Sequence, residues 1–146
     1  MHDVGKIAIP DSILCKPGSF EPHEWEIMKT HAGLGAKMLS GSDSPYLKMG
    51  AEIAMSHHER SDGGGYQDGL SGAAIPLPAR IMQICDVYDA LRSKRPYKPA
   101  FTHEKALEII TVGDHRTAPS HFDPDVLAAF KRAAGRFRDI YEAHAE

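Results

Sequence analysis

Apolar residues recur at helical spacing along almost the whole chain, and this regularity restricts the fold more than any other feature. Residues 22–40 place Trp25, Met28, Gly35, Met38 and Leu39 on one stripe, with Pro22 suited to a first helical position. Residues 45–58 start at Pro45 and set Ile53 and His57 four apart; residues 78–93 start at Pro78 and set Ile81, Cys85 and Tyr88 on one face. Thr102 is a good N-cap for a helix to about Ile110, with Gly113 as its stop. Asp123-Pro124 opens a last helix whose stripe is Leu127, Phe130, Ala134, Phe137 and Tyr141. Strand signals are almost absent. The one long break, from Glu59 to Leu77, carries Gly63, Gly64, Gly65, Gly69 and Gly72. A loop that long in a compact domain is usually functional or disordered. Met1 to about Ile7 reads as the end of a helix. The expectation is a single all-α domain over residues 1–146.

Composition narrows the class of partner. Lys+Arg 17 against Asp+Glu 20 gives a formal charge of −3, which argues against a duplex nucleic-acid binder but permits a small anionic ligand held by local cations or metals. No apolar run approaches the roughly 20 residues that span a bilayer, and the first residues lack the pattern of a secretory signal. Cys15 and Cys85 fit no metal spacing, so a reducing cytoplasm is the simplest setting.

The residues that carry chemistry are weak signals one at a time. His2-Asp3 alone is more often a solvated helix end, and His31, beside the 25–39 stripe, more often a satisfied boundary histidine. His57-His58 is stronger, because adjacent imidazoles can face one ion where a helix terminates. Asp86 and Asp89 sit three apart in an otherwise apolar helix. A buried carboxylate there needs a metal or another cation, Arg92 and Arg95 being the alternatives. Taken together, His2, Asp3, His31, His57, His58 and Asp86 form a mixed N/O set on four helices. Such a set suits iron or manganese first, zinc or nickel next. A bridging carboxylate can hold two ions about 3.5–4 Å apart. Lys6, Arg80, Arg95 and Lys98 follow in places where they can clamp phosphate oxygens.

Four strings extend this pattern: His2-Asp3-Val4-Gly5-Lys6-Ile7, His57-His58-Glu59-Arg60-Ser61-Asp62-Gly63-Gly64-Gly65-Tyr66, Asp86-Val87-Tyr88-Asp89-Ala90-Leu91 and Arg95-Pro96-Tyr97. In this order, with His31 between the first two and Phe122-Asp123-Pro124 near the last helix, the chain resembles the HD-GYP branch of the HD superfamily. The resemblance implies an all-α helical bundle with a centre of two or three metals. It implies hydrolysis of cyclic di-GMP to pGpG, in some members onward to GMP. It marks His2, Asp3, His31, His57, His58 and Asp86 as metal ligands, Asp3 bridging. It marks Asp3 and Lys6 as catalytic, and Lys6, Tyr66, Arg95 and Lys98 as substrate contacts, with Asp62 and Gly63 shaping the loop.

Two departures matter. The Gly-Tyr-Pro signature reads Gly65-Tyr66-Gln67 here, which removes proline's restraint on φ; this bears on activity rather than on fold. The resemblance also implies helices before the HD pair, with a further histidine ligand and, in trimetal members, a glutamate. The sequence opens at the pair, so the bundle is expected to lack them, through a truncated gene, a misassigned start or a partner chain that supplies them. Apolar surface on the 22–40 and 124–141 helices should then be uncovered, favouring a homo-oligomer. The leading expectation is a phosphodiesterase carrying up to two ions. Its rivals are a degenerate metal- or nucleotide-binding module and a phosphohydrolase acting on another nucleotide.

Overall fold

The computed structural model describes residues 1–94 and 99–144. Its α-helices are α1 (Asp11–Leu14), α2 (Pro22–Lys29), α3 (His31–Leu39), α4 (Pro45–Ser56), α5 (Leu77–Arg92), α6 (His103–Thr111) and α7 (Pro124–His144), and the described residues include no strand. The caps are those the side chains dictate. Thr102 Oγ1 accepts from the Lys105 amide at 3.2 Å. Asp123 Oδ1 accepts from the amides of Asp125 and Val126, both at 3.0 Å, and starts α7. Among the described residues no helix is long and apolar enough to cross a membrane.

The larger core joins α5, α6 and α7. Ile84, Tyr88 and Leu91 pack on Ala106, Ile109 and Ile110, and Phe122, Val126, Leu127 and Phe130 close it. Phe137 and Tyr141 extend the predicted α7 stripe, and the Tyr141 hydroxyl donates to the Arg92 carbonyl at 2.6 Å. A smaller cluster of Ile9, Ile13 and Met28 lies under Phe20 and Leu34. Between the two, α3 and α4 pair, and α4 leans on α5.

Three expectations are corrected. The first residues form a 3-10 helix, Val4–Ala8, rather than an α-helical end. It packs on α3 at very close range: a Cβ on Gly5 would stand 1.9 Å from the His31 carbonyl oxygen and 2.5 Å from the Gly35 amide nitrogen. Only glycine allows this approach, which brings His2 and Asp3 alongside His31. Residues 22–40 are two helices, because Thr30 sends both its amide (3.1 Å) and its hydroxyl (2.6 Å) to the Ile27 carbonyl and breaks the ladder. The stripe also overreached. Trp25, Met38 and Ile81 are exposed while Met28, Gly35 and Tyr88 are buried, because the faces that meet the neighbouring helices are narrower than the apolar stripes. Ile140 on α7 is likewise exposed.

Candidate metal centre

Three elements deliver the central donors. The turn before Val4–Ala8 carries Asp3, α3 opens with His31, and α4 ends at Ser56 with His57 as its C-cap. Terminating the helix there lets His57 and His58 face the same point, with ring centroids 3.9 Å apart. One donor atom from each of Asp3, His31, His57 and His58 lies within 4.8 Å of the others. His31 Nε2 is 3.3 Å and His57 Nε2 3.8 Å from Asp3 Oδ1. His58 Nε2 is 3.1 Å from His31 Nε2.

Backbone carbonyls orient the rings. His31 Nδ1 donates to the Met28 carbonyl at 2.7 Å, and His57 Nδ1 lies 3.1 and 3.0 Å from the Ile53 and Ala54 carbonyls. With Nδ1 used as a donor, each Nε2 presents a lone pair. His57 is 1 % exposed, and its Nε2 is fully buried without a hydrogen-bond partner in the protein. A buried imidazole nitrogen left this way costs stability unless something meets it. A cation would meet it, so the donors fit a metal ion.

Asp3 faces two ways. Its Oδ1 looks toward His31 and His57; its Oδ2 is 2.6 Å from Lys6 Nζ and 3.4 Å from His2 Nε2. His2 Nε2 is also 3.6 Å from Asp86 Oδ1. His2 thus sits between Asp3 and Asp86, beside the first group. Of the two α5 carboxylates, Asp86 is the one that reaches His2, while Asp89 is exposed.

The electrostatics suit ligation at Asp3, His57 and His58. Burial raises the Asp3 carboxyl, but hydrogen bonds from His2, His31 and Lys6 outweigh it and hold the group far below the usual carboxylate range. Burial likewise opposes ionisation of Asp86, and His2 overrides it. Desolvation and the neighbouring imidazoles push His58 down to about 3, and desolvation lowers His57 as well. Both rings are thus neutral near pH 7, as ligation requires. His2, bonded by Asp3 and Asp86, is raised to about 9.

The glycine-rich loop folds back over this wall. A Cβ on Gly65 would lie 2.4 Å from the Arg60 nitrogen and 2.5 Å from the His58 oxygen, so the loop runs against the His57–Arg60 backbone. Tyr66 then stacks on His58 with centroids 4.8 Å apart, and Trp25 meets Tyr66 edge-on at 5.8 Å. Burial, then the charges of Asp3 and Asp86, raise the Tyr66 phenol, which stays protonated. Asp62 accepts from the Gly64 amide at 2.9 Å and pairs with Arg60.

Among the clefts that open from the centre, one, of about 500 Å³, is lined by Lys6, His2, Asp3 and His31; another, of about 450 Å³, by Lys29, Arg60, Arg116 and His121. Trp25, His58, Tyr66 and Asp86 line both. Arg80 does not belong here: it is 2.8 Å from Asp123 Oδ2, at the start of α7, so its proposed phosphate role is corrected to a structural one. Arg95 and Lys98 lie outside the described residues. Sequence reasoning missed Lys29, Arg116 and the anchoring role of Glu59, whose Oε1 accepts from the Asp68 and Gly69 amides at 2.6 and 3.1 Å. The position of Glu59 directly after the histidine pair was an available signal; no local pattern marks Arg116.

A family model described as HD domain matches residues 1–126. The chain is 48% identical over 140 residues to the cyclic di-GMP phosphodiesterase response regulator RpfG of Xanthomonas campestris, covering 96% of this chain and 36% of that protein. It is 44% identical over 141 residues to a cyclic di-GMP phosphodiesterase of Thermotoga maritima, covering 97% and 37%. Against the 3'3'-cGAMP-specific phosphodiesterase 2 of Vibrio cholerae it is 44% identical over 127 residues, covering 87% and 24%. The chain thus spans about a third of the length of the curated relatives it matches.

Proposed function

Because this chain belongs to the HD domain family, with the motifs of its HD-GYP branch, we propose that it is a metal-dependent phosphodiesterase that hydrolyses cyclic di-GMP to pGpG. The observation that carries the reading is the convergence of Asp3, His31, His57 and His58 around a buried His57 nitrogen that no protein group meets. These four residues would hold one ion. His2, Asp3 and Asp86 would hold a second, with Asp3 shared. Imidazole and carboxylate donors favour iron or manganese over magnesium or calcium. Bound metal supplies a water nucleophile near neutral pH and charge to offset that developing on phosphorus.

The chain's own residues supply the rest. His57 and His58 are kept neutral by burial, and Asp3 is kept ionised by His2, His31 and Lys6. Lys6 stands at the mouth of one cleft as a compact cation for a phosphate oxygen. Tyr66 keeps its phenolic proton and can donate it in a hydrogen bond to substrate. Arg95 and Lys98 are further proposed phosphate contacts, carried by the motif resemblance. Cations line both clefts, and this arrangement suits a ligand with two phosphates on opposite sides of a ring.

The test is turnover by the purified protein loaded with Mn(II) or Fe(II). Cyclic di-GMP and 3'3'-cGAMP should be offered separately, because relatives named for each are similar to this chain. Metal-dependent release of pGpG, abolished in Asp3→Asn, is the expected result. Metal binding without cleavage of either nucleotide would overturn the enzymatic reading in favour of a binding module.

A further inference from the structure

The loop over the metal centre is pinned between residues 66 and 69 from two sides. On one side Tyr66 donates its amide to the His58 carbonyl at 3.2 Å, and Glu59 takes the amides of Asp68 and Gly69. These contacts join the loop only to the segment from which it leaves. On the other side the Gln67 side chain donates through Nε2 to the carbonyl of Lys29, thirty-eight positions away in sequence. That carbonyl ends α2 at the Thr30 break. The preceding carbonyl, Met28, accepts from Nδ1 of His31. Two consecutive carbonyls freed by one helix break thus serve the centre, one aiming a ligand ring and one holding the loop.

The neighbour of Gln67 is the residue whose position matters. Tyr66 lies between His58, on which it stacks, and Trp25, which meets it edge-on. It lines both clefts. We infer that Gln67 is a positioning residue: its bond to the Lys29 carbonyl holds Tyr66 at the junction of the two clefts and so sets the shape of the substrate site. Glutamine here replaces a covalent restraint on the backbone with a side-chain tether to a different helix. The kinetic part of this inference rests on the phosphodiesterase reading; the placement of Tyr66 does not.

The experiment uses Gln67→Glu, which keeps the shape but loses both amide donors, and Gln67→Met, which keeps the length without polarity. Trp25 is the only tryptophan in the chain, so its fluorescence reports on the loop without substrate or turnover. Both variants should retain the wild-type far-UV spectrum and metal content. Trp25 should shift to longer wavelength and be quenched faster by acrylamide than in wild type. With Mn(II) and cyclic di-GMP, KM should rise about 5- to 10-fold, the equivalent of one lost hydrogen bond, with kcat little changed. Wild-type quenching in both variants would overturn the tether. Altered quenching with wild-type KM would overturn its role in shaping the substrate site, and loss of folding in either variant would make Gln67 structural instead. Should wild type fail to turn over cyclic di-GMP, the functional reading falls, and the quenching arm still decides whether Gln67 holds Tyr66.

Discussion

His57 sets the terms at the scale of single residues. Its Nδ1 is committed to helix carbonyls, its Nε2 is buried without a protein partner, and desolvation keeps the ring neutral. A side chain of this kind contributes little to the stability of the metal-free protein, because the unmet nitrogen offsets the hydrogen bond that Nδ1 makes. His57→Leu should therefore change the unfolding free energy of metal-stripped protein by no more than about 1 kcal/mol. Its effect should appear only when metal is added. Wild type at a hundredfold excess of Mn(II) over its Kd gains about 2.7 kcal/mol, and the variant should gain almost none. Thermal unfolding with and without Mn(II) separates the two contributions. A large loss of stability without metal would show that His57 is a packing residue.

At the scale of elements, the same substitution at two glycines should have opposite effects. Gly5 lies so close to α3 that an added methyl would overlap the His31 backbone, which cannot move aside as a side chain can. Gly135 lies within α7 with nothing within 4 Å of its would-be Cβ. Gly5→Ala should destabilise by about 3 kcal/mol, the upper part of the range for overpacking, and displace Asp3 from His31. Gly135→Ala should stabilise by about 0.5–1 kcal/mol through helix propensity. Urea unfolding of both variants checks the pair, and equal effects would deny the close approach. At the start of α7, Asp123→Ala should cost about 2 kcal/mol, since it removes a cap that bonds two amides and leaves Arg80 without its ion pair. How legible such features were depends on how local their causes are. The openings at Pro22, Pro45 and Thr102 and the α7 stripe follow from neighbouring residues, and they read correctly. The break at Thr30 depends on a hydroxyl choosing Ile27 over solvent, and periodicity does not register that choice. The grouping of Asp3, His31, His57 and His58 was legible through motif strings. The Gln67 and Arg116 placements were not, because they depend on where a loop lands against distant helices.

For the whole molecule, the imidazoles of the centre act against one another as pH changes, and the metal-free protein should show it. His2 is raised to about 9 by its bonds to Asp3 and Asp86. Its contribution is fully present below the unfolded histidine value near 6.5 and is lost as pH rises through about 9. His57 and His58 are lowered, His58 to about 3, with desolvation as the main cause. Between about 6.5 and 3 the unfolded chain binds protons that these buried rings refuse, so stability falls as pH falls across that interval. The two trends meet near the ordinary histidine value. The carboxylates of the centre titrate below this range in the folded state and do not shape its upper half. Urea unfolding of EDTA-treated protein at a series of pH values from 4.5 to 9.5 should therefore give a maximum at about pH 6.5, with both flanks lower. His2→Gln removes the raised group while leaving His57 and His58 in place. It should flatten the alkaline flank and preserve the acid one. A wild-type curve that climbs steadily to pH 9 would show that His2 is not held by Asp3 and Asp86. An alkaline flank that survives in His2→Gln would assign the effect to another group.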